Sequence, residues 1–367
     1  MSRCKGRRRT ISPRFAASSM ASHAPPGAPL RVVVAGGGVG GLSLAVALLS
    51  RGVKDVLVLE RDESLSAAAS RATALAFWPN GMRALRALAP ALNLDKAVVH
   101  AGCLMAETRL RSGEMSFASK DGASYEEKFG FPAVSLRWYV LCLHSCFTWH
   151  TFLRSACRRD LVGALADALP PGCVRFGLRL KRYEPLPEGG VRATFVSPAG
   201  EETVLEADVL VGCDGLRSTT REQLFEHLGV ADPCPPVATG RVAWRAVLPP
   251  SIAPPQLAAL CGPVDGGDGC FTSMLSNVDN KTAAYMAVSP TGDRYFALGA
   301  LSSDAGERLA SEVFAHWPEA AACVAATPPE ALLRTRLYVR EPLDPAVLSA
   351  DGGGPVTLLG DALHASA

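Results

Sequence analysis

The sequence has no unbroken apolar run of the roughly eighteen residues that a membrane-spanning helix needs, and no apolar segment leading to a signal-type cleavage site. A spanning protein is therefore not expected, although peripheral membrane contact stays compatible with the chain. The 11 cysteines are scattered and odd in number, which argues against a disulfide framework and for reduced thiols. The 7 histidines are dispersed, so no Ser/His/Asp constellation is visible and no metal site is expected. Acidic side chains are missing from residues 1–30, which carry Arg3, Lys5, Arg7, Arg8, Arg9 and Arg14. With a net charge of +2 for the whole chain, the remainder is net negative, so nucleic acid is not an expected partner of the body. The acid-free, Arg-, Ser- and Ala-rich segment 1–29 suits an organellar transit peptide, chloroplast in the first reading and mitochondrion in the second. A disordered basic arm, or translation from Met20 and a cytoplasmic protein, are the alternatives.

What the chain does have is apolar mass. With 367 residues, 48% hydrophobic and 20% charged, it can bury a large core, and two domains are expected. Order is predicted from "RVVVAGGGVGGLSLAVALLSRGVKDVLVLER": a buried strand over Val32–Val34, then Gly36, Gly38 and Gly41 in G-x-G-x-x-G spacing, an apolar helix closing near Gly52, and a second strand ending on Glu60. Such glycines permit a tight turn and close approach of the backbone to a pyrophosphate, whose charge rests on the helix N-terminus. A carboxylate at the end of the second strand accepts ribose hydroxyls. Gly36, Gly38, Val39, Gly40, Gly41, Glu60 and Arg61 are thus the first cofactor-binding candidates. This pattern alone does not separate FAD from NAD.

A second segment, "ADVLVGCDGLRSTTRE", runs a strand over Val209–Val211 into Asp214-Gly215, with Arg217, Ser218 and Arg221 behind it. It resembles the Asp-Gly fingerprint of the class A FAD-dependent monooxygenases, the flavoprotein aromatic hydroxylases related to para-hydroxybenzoate and salicylate hydroxylase. A plain strand-to-helix turn with a capping aspartate is the bland alternative. "VTLLGDALHASA" resembles the family's strand-Gly-Asp segment, and "GRVAWRAVLP" and "LRTRLYVREPL" resemble its salicylate-hydroxylase-like and plant branches. The resemblance spans about 31–367. It implies that Asp214 and Gly215 contact the cofactor, and that Asp361 after Gly360 meets the ribityl chain of FAD. It also implies an arginine on the flavin side, Arg158 by its spacing to Leu161, with Arg137 second. In the family a turn and a long helix follow Gly-Asp, so the chain is expected to stop within the flavin site.

The implied fold class is α/β: a Rossmann-like FAD-binding domain of aromatic-hydroxylase type with an antiparallel-sheet substrate domain. Expected divisions are FAD-binding parts at 30–110, 158–235 and 346–367, and substrate-domain parts at 111–137 and 236–345. Residues 138–157, acid-free and rich in Cys, His and aromatics, read as an insertion; Cys142, His144, Cys146 and His150 match no usual zinc spacing. Residues 190–211 read as a strand pair turning at Pro198-Ala199-Gly200, 240–300 as strands with alternating apolar positions, and Glu307–Trp317 as helix. Trp244, Arg245, Met274, Tyr285 and Phe296 are substrate-pocket candidates, with core packing as the competing role. The implied activity is monooxygenation of an aromatic or other electron-rich small molecule with O2 and NADH or NADPH. A carotenoid-epoxidase-like or reductase flavoenzyme, or a non-catalytic FAD-binding remnant, are the alternatives. No catalytic side chain is assigned, because the cofactor carries such chemistry.

Overall fold

A computed structural model of the chain describes residues 29–65, 75–77, 79–88, 90, 103–112, 115–119, 127, 130, 134–136, 158–248, 251, 269–276, 282–288, 294–301, 308–315, 318–341, 343 and 354–365. The expected insertion at 138–157, its Cys and His residues, Arg137 and residues 1–28 lie outside the described residues.

The chain opens with strand β1 (Arg31–Ala35), helix α1 (Val39–Ser50) and strand β2 (Asp55–Leu59). It continues through β3 (Leu75–Phe77), helix α2 (Pro79–Leu88), β4 (Cys103–Ser112), β5 (Met115–Ser119) and β6 (Val134–Leu136). Helix α3 (Arg158–Asp167) leads to β7 (Val174–Arg175), β8 (Arg179–Pro185), β9 (Val191–Val196), β10 (Glu202–Ala207), β11 (Val209–Gly212) and helix α4 (Thr219–His227). Next come β12 (Val237–Leu248), β13 (Gly269–Ser276), β14 (Thr282–Val288) and β15 (Arg294–Leu301). Helices α5 (Ala310–Val313) and α6 (Pro318–Ala325) precede β16 (Leu333–Val339), β17 (Val356–Leu358) and the one-turn helix α7 (Asp361–His364). Of the helix expected over 307–317, Ala310–Val313 is helical among the described residues.

Five strands form a parallel sheet in the order β17-β11-β1-β2-β7. Its central strand explains its own sequence. In "RVVVA", Val32 and Val34 pack with Leu42, Val46, Leu161 and Leu165 of α1 and α3, whereas Val33 and Ala35 face Tyr183, Val191 and Phe195 of the β8–β10 sheet. A strand covered on both faces must be apolar at every position, and each fully buried valine contributes roughly 1.5–3 kcal/mol. The covering layer is an antiparallel sheet, β10-β9-β8, whose β9–β10 connection is the expected turn at Pro198-Ala199-Gly200, where the Gly200 N–H donates to the Ser197 carbonyl at 2.9 Å.

The third sheet has nine strands, in the order β16-β12-β15-β14-β13-β4-β6-β3 with β5 beside β4. It is antiparallel except where β13 pairs with β4 in parallel, a departure from a purely antiparallel expectation. Strand β3, at Leu75–Phe77, and most of β4, at Cys103–Ser112, fall within 30–110 yet belong to this sheet. Trp244, Ala246, Leu248, Phe296 and Leu298 turn one face of β12 and β15 onto Phe314, Ala320 and Cys323 of the helical layer; the Trp244 and Phe314 rings meet edge-on at 5.4 Å. Trp244 and Phe296 are therefore core residues. Register sets Arg245, Ala297, Tyr285 and Met274 in one cross-strand row, with Arg245 alternating to the face opposite Trp244.

Candidate cofactor site

The carboxyl ends of β1, β2 and β11 open onto a cleft of about 470 Å3 lined by Gly36, Gly38, Glu60, Arg61, Asp214 and Gly215, six of the residues expected from the sequence. Ligands of open parallel sheets bind at this edge, where the strands stop and helix N-termini begin. Two glycines are required by close contact. A Cβ on Gly36, whose φ is 111°, would sit 2.3 Å from the Cys213 carbonyl oxygen, and one on Gly41 would sit 2.0 Å from the Gly36 carbonyl oxygen. The first contact lets the β1 turn lie against the β11 turn; the second lets α1 start immediately beneath it. Gly38 is the N-cap of α1, no side chain caps the helix, and no acid lies in its first turn. The leading N–H groups at Val39, Gly40 and Gly41 therefore have neither a capping side chain nor an acid in their own turn, which suits an anion.

Glu60 is 8% exposed, yet its carboxylate faces the cleft. Gly37 N–H donates to Glu60 Oε2 at 2.7 Å and Asp62 N–H donates to Glu60 Oε1 at 2.9 Å. Each oxygen so held retains further acceptor capacity, the requirement for binding a vicinal diol. The carboxylate of Asp214 is used differently. It accepts from the Ser218 hydroxyl and from both the backbone N–H and the hydroxyl of Thr220, the latter two at 3.0 Å. Ser218 in turn caps α4, accepting from Arg221 N–H at 2.9 Å. Asp214 thus lines the cleft while its side chain organises the start of a helix, and the adjoining Gly215 leaves bare backbone at the wall.

Gly360 and Asp361 stand at the carboxyl end of β17, outside the lining of this cleft, with Asp361 exposed at the start of α7. Leu359 brings that turn alongside α1, since a Cβ on Gly40 would lie 3.9 Å from the Leu359 side chain. Arg158 begins α3, and Val162, one helical turn later, lines the cleft. The structure adds residues that motif reading passed over: Gly37, Asp62, Leu178, Arg179 and Arg217 also line the cleft. Gly37 and Asp62 were hidden because their contribution is backbone, and Arg179 because it arrives on β8, far from either motif. Burial, helped by the neighbouring Asp214, pushes the Cys213 thiol up to about 12, so this cleft residue is neutral at physiological pH.

Among the described residues no group of three His, Cys, Asp or Glu side chains is placed to hold a metal ion, and no helix is long and apolar enough to cross a membrane.

A family model described as FAD binding domain matches residues 29–366. The chain belongs to that family. The flavoprotein is similar to FAD-dependent monooxygenase SAT7 of Stachybotrys chartarum, 32% identical over 233 residues, which are 61% of this chain and 44% of the relative. It is 28% identical over 341 residues to 3-amino-4-hydroxybenzoate 2-monooxygenase of Streptomyces cremeus, covering 91% of this chain and 72% of that enzyme. The chain thus spans less than half the length of the first of these relatives. Among solved structures, HpxO of Klebsiella pneumoniae complexed with FAD and uric acid shares the fold, with a TM-score of 0.62 and 21% identity over 92% of this chain and 74% of that one. FAD, the cofactor of the family, fits the residues present: a glycine cradle that a single Cβ would fill, an uncapped helix N-terminus for phosphate, and a carboxylate with acceptor capacity for a ribose.

Proposed function

We propose that this chain is the flavin-binding core of an NADH- or NADPH-dependent monooxygenase that hydroxylates an aromatic or other electron-rich small molecule. The balance is substrate, O2, NAD(P)H and a proton to hydroxylated product, water and NAD(P)+. The observation that carries the reading is the Glu60 carboxylate, pinned by Gly37 and Asp62 beside an uncapped glycine turn at the edge of a parallel sheet. FAD, when bound, supplies the two-electron redox chemistry with O2. The protein's residues bind and orient. Glu60 accepts the adenosine ribose hydroxyls, the first turn of α1 faces the pyrophosphate, and Arg61, Arg179 and Arg217 add positive charge at the cleft. Asp361 serves the ribityl chain and Arg158 the flavin side, as the family resemblance implies.

The substrate side is the face of the nine-stranded sheet that bears the row of Arg245, Ala297, Tyr285 and Met274. An arginine there suits a ring carrying a carboxylate, and the Streptomyces cremeus relative is named for such a ring, 3-amino-4-hydroxybenzoate. The acid-free segment 1–29 supports targeting to the chloroplast, which a fusion of 1–29 to a fluorescent protein checks.

Titration with FAD, followed by flavin fluorescence, tests the site. Anaerobic mixing with NADH and NADPH tests reduction, and oxygen uptake with a panel of hydroxybenzoates tests the reaction. The expected result is saturable FAD binding, bleaching of the visible flavin absorption by at least one nicotinamide, and 18O in a product formed under 18O2. Absence of FAD binding overturns the proposal; binding and reduction without oxygen transfer to any aromatic acid overturns the substrate class.

A further inference from the structure

Two turns, 214–216 and 360–363, lie at the carboxyl ends of the neighbouring strands β11 and β17, and one cluster of three charged side chains, two buried arginines and the half-buried Asp232, joins them. Arg221, 1% exposed, donates from Nε and Nη2 to the two oxygens of Asp232, each at 2.7 Å. Its remaining nitrogen, Nη1, donates to the carbonyls of Ala362 at 3.1 Å and Leu363 at 2.9 Å, inside α7. Arg340 donates from Nη1 to Asp232 Oδ2 at 3.0 Å and to the Cys234 carbonyl at 2.8 Å, and from Nη2 to the Leu216 carbonyl at 2.8 Å. Its own backbone N–H donates to the Ala365 carbonyl at 2.9 Å. One carboxylate thus holds two guanidiniums, one reaching the Asp361 side of the site and the other the Gly215 side.

Stability alone does not account for this arrangement. Two buried cations around one anion are costly to desolvate, and apolar packing of the same volume serves stability as well or better. The guanidinium, however, is a rigid planar fork, so fixing one edge on a carboxylate fixes where the other edge holds a carbonyl. Arg340 Nε is buried without a partner among the described residues, so the side chain is placed by its two terminal nitrogens. None of the three residues lines the cleft.

We infer that Arg221, Asp232 and Arg340 are positioning residues for the flavin site: together they set the 214–216 turn and the 360–363 turn at a fixed distance, so that both meet the same bound cofactor. The inference rests on the FAD-site reading above. It also explains why strand β16 returns to the nucleotide-binding sheet at Arg340, because that residue couples the end of the nine-stranded sheet to both turns.

Three variants test it: Asp232→Asn, which removes the negative charge and one of the two oxygens that hold the guanidiniums, Arg340→Gln, which releases the Leu216 carbonyl, and Arg340→Lys, which keeps the charge but loses the fork. Hydrogen exchange on the FAD-free protein is the first readout. Asp232→Asn accelerates exchange in peptides covering both 214–220 and 360–365, whereas the β9–β10 hairpin exchanges as in the parent. The second readout is FAD affinity with visible circular dichroism of the bound flavin. Kd rises about 10- to 100-fold for Asp232→Asn, the range seen when a group supporting a ligand-binding residue is lost, and the dichroism of the saturated complex changes. Arg340→Gln gives a smaller rise, and Arg340→Lys recovers part of it. If the parent binds FAD and the variants match its Kd, dichroism and exchange, the inference is wrong and the FAD-site reading stands. If the parent does not bind FAD, that reading falls and the inference with it. Variants that melt globally are distinguished by fast exchange in the β9–β10 hairpin, and that outcome, with no recovery in Arg340→Lys, also overturns it.

Discussion

β2 and β11 flank the same central strand and each ends in a carboxylate-bearing turn, yet the two turns do opposite things. At the end of β2, Glu60 is held by two backbone N–H groups and offers its remaining acceptor capacity to the cleft. At the end of β11, Asp214 accepts three bonds, from Ser218 on one oxygen and twice from Thr220 on the other, so its carboxylate builds the α4 helix start. The difference follows from what comes next in the chain. Glu60 receives the Gly37 and Asp62 N–H groups, whereas Asp214 receives the Ser218 hydroxyl and both the N–H and the hydroxyl of Thr220 from the run that turns back onto it. An acid at the tip of a strand becomes a ligand group only where the local sequence does not consume it.

The largest effect that sharpens this contrast lies behind Asp214. Arg221→Met leaves Asp232 to Arg340 and the Cys234 N–H and frees the Ala362 and Leu363 carbonyls, and is expected to cost up to about 3–5 kcal/mol of stability, the upper scale being that for breaking a buried pair from one side. Urea denaturation checks it. Gly41→Ala, on the Glu60 side, forces a Cβ against the Gly36 carbonyl. That overpacking costs about 1–3 kcal/mol and lowers FAD affinity as well, because the turn that must move is the cradle itself.

Glu60→Ala separates ligand from fold. FAD binding weakens by about 1–3 kcal/mol, the range for a charge-assisted hydrogen bond, while the urea midpoint of the cofactor-free protein moves less than it does for Arg221→Met. Asp214→Ala is the mirror case: it removes the acceptor of the Ser218 and Thr220 bonds at the start of α4, at about 0.5–2 kcal/mol of stability, the scale for a side chain that satisfies a helix-start N–H, and FAD affinity falls less than in Glu60→Ala. Equal losses of FAD affinity in the two variants would break the contrast between the turns.

The smallest expected effect is a pH dependence at Asp232. Burial alone would raise its carboxyl, but the hydrogen bonds from Arg221, the Cys234 N–H and Arg340 outweigh it and hold the group below the ordinary carboxylate range. A carboxyl lowered by folding stabilises the protein above its unfolded value of about 3.9, and that stabilisation is lost as pH falls through the lower folded value. The stability difference between the parent and Asp232→Asn should therefore be full at neutral pH and shrink on acidification below about pH 4, as read by urea midpoints across the range.

The β1-α1-β2 unit was legible almost to the residue, because its signals are local: an apolar run, glycines at fixed spacing, a helix stop near Gly52 and a terminal acid. The Pro198-Ala199-Gly200 turn was legible for the same reason. The strand pattern around 240–300 showed which positions alternate without showing which face was the core, so Trp244 and Phe296 counted equally with Arg245 as pocket candidates. Only the packing of Phe314 and Cys323 against one face separated them.

The chain's local order thus determined, by itself, the strand and helix units, the glycine turn at Gly36 and the carboxylate at Glu60, since each depends on neighbours within a few dozen residues. Tertiary structure alone decided that β3 and β4 join the nine-stranded sheet, that Arg179 reaches the cleft, and that Asp232 joins Arg221 to Arg340. Those outcomes depend on contacts across 108 residues for Arg340 with Asp232 and 141 for Arg221 with Ala362. No spacing rule records such pairs, because the energy that selects them is the desolvation of charged groups, which arises only once the elements have closed around them.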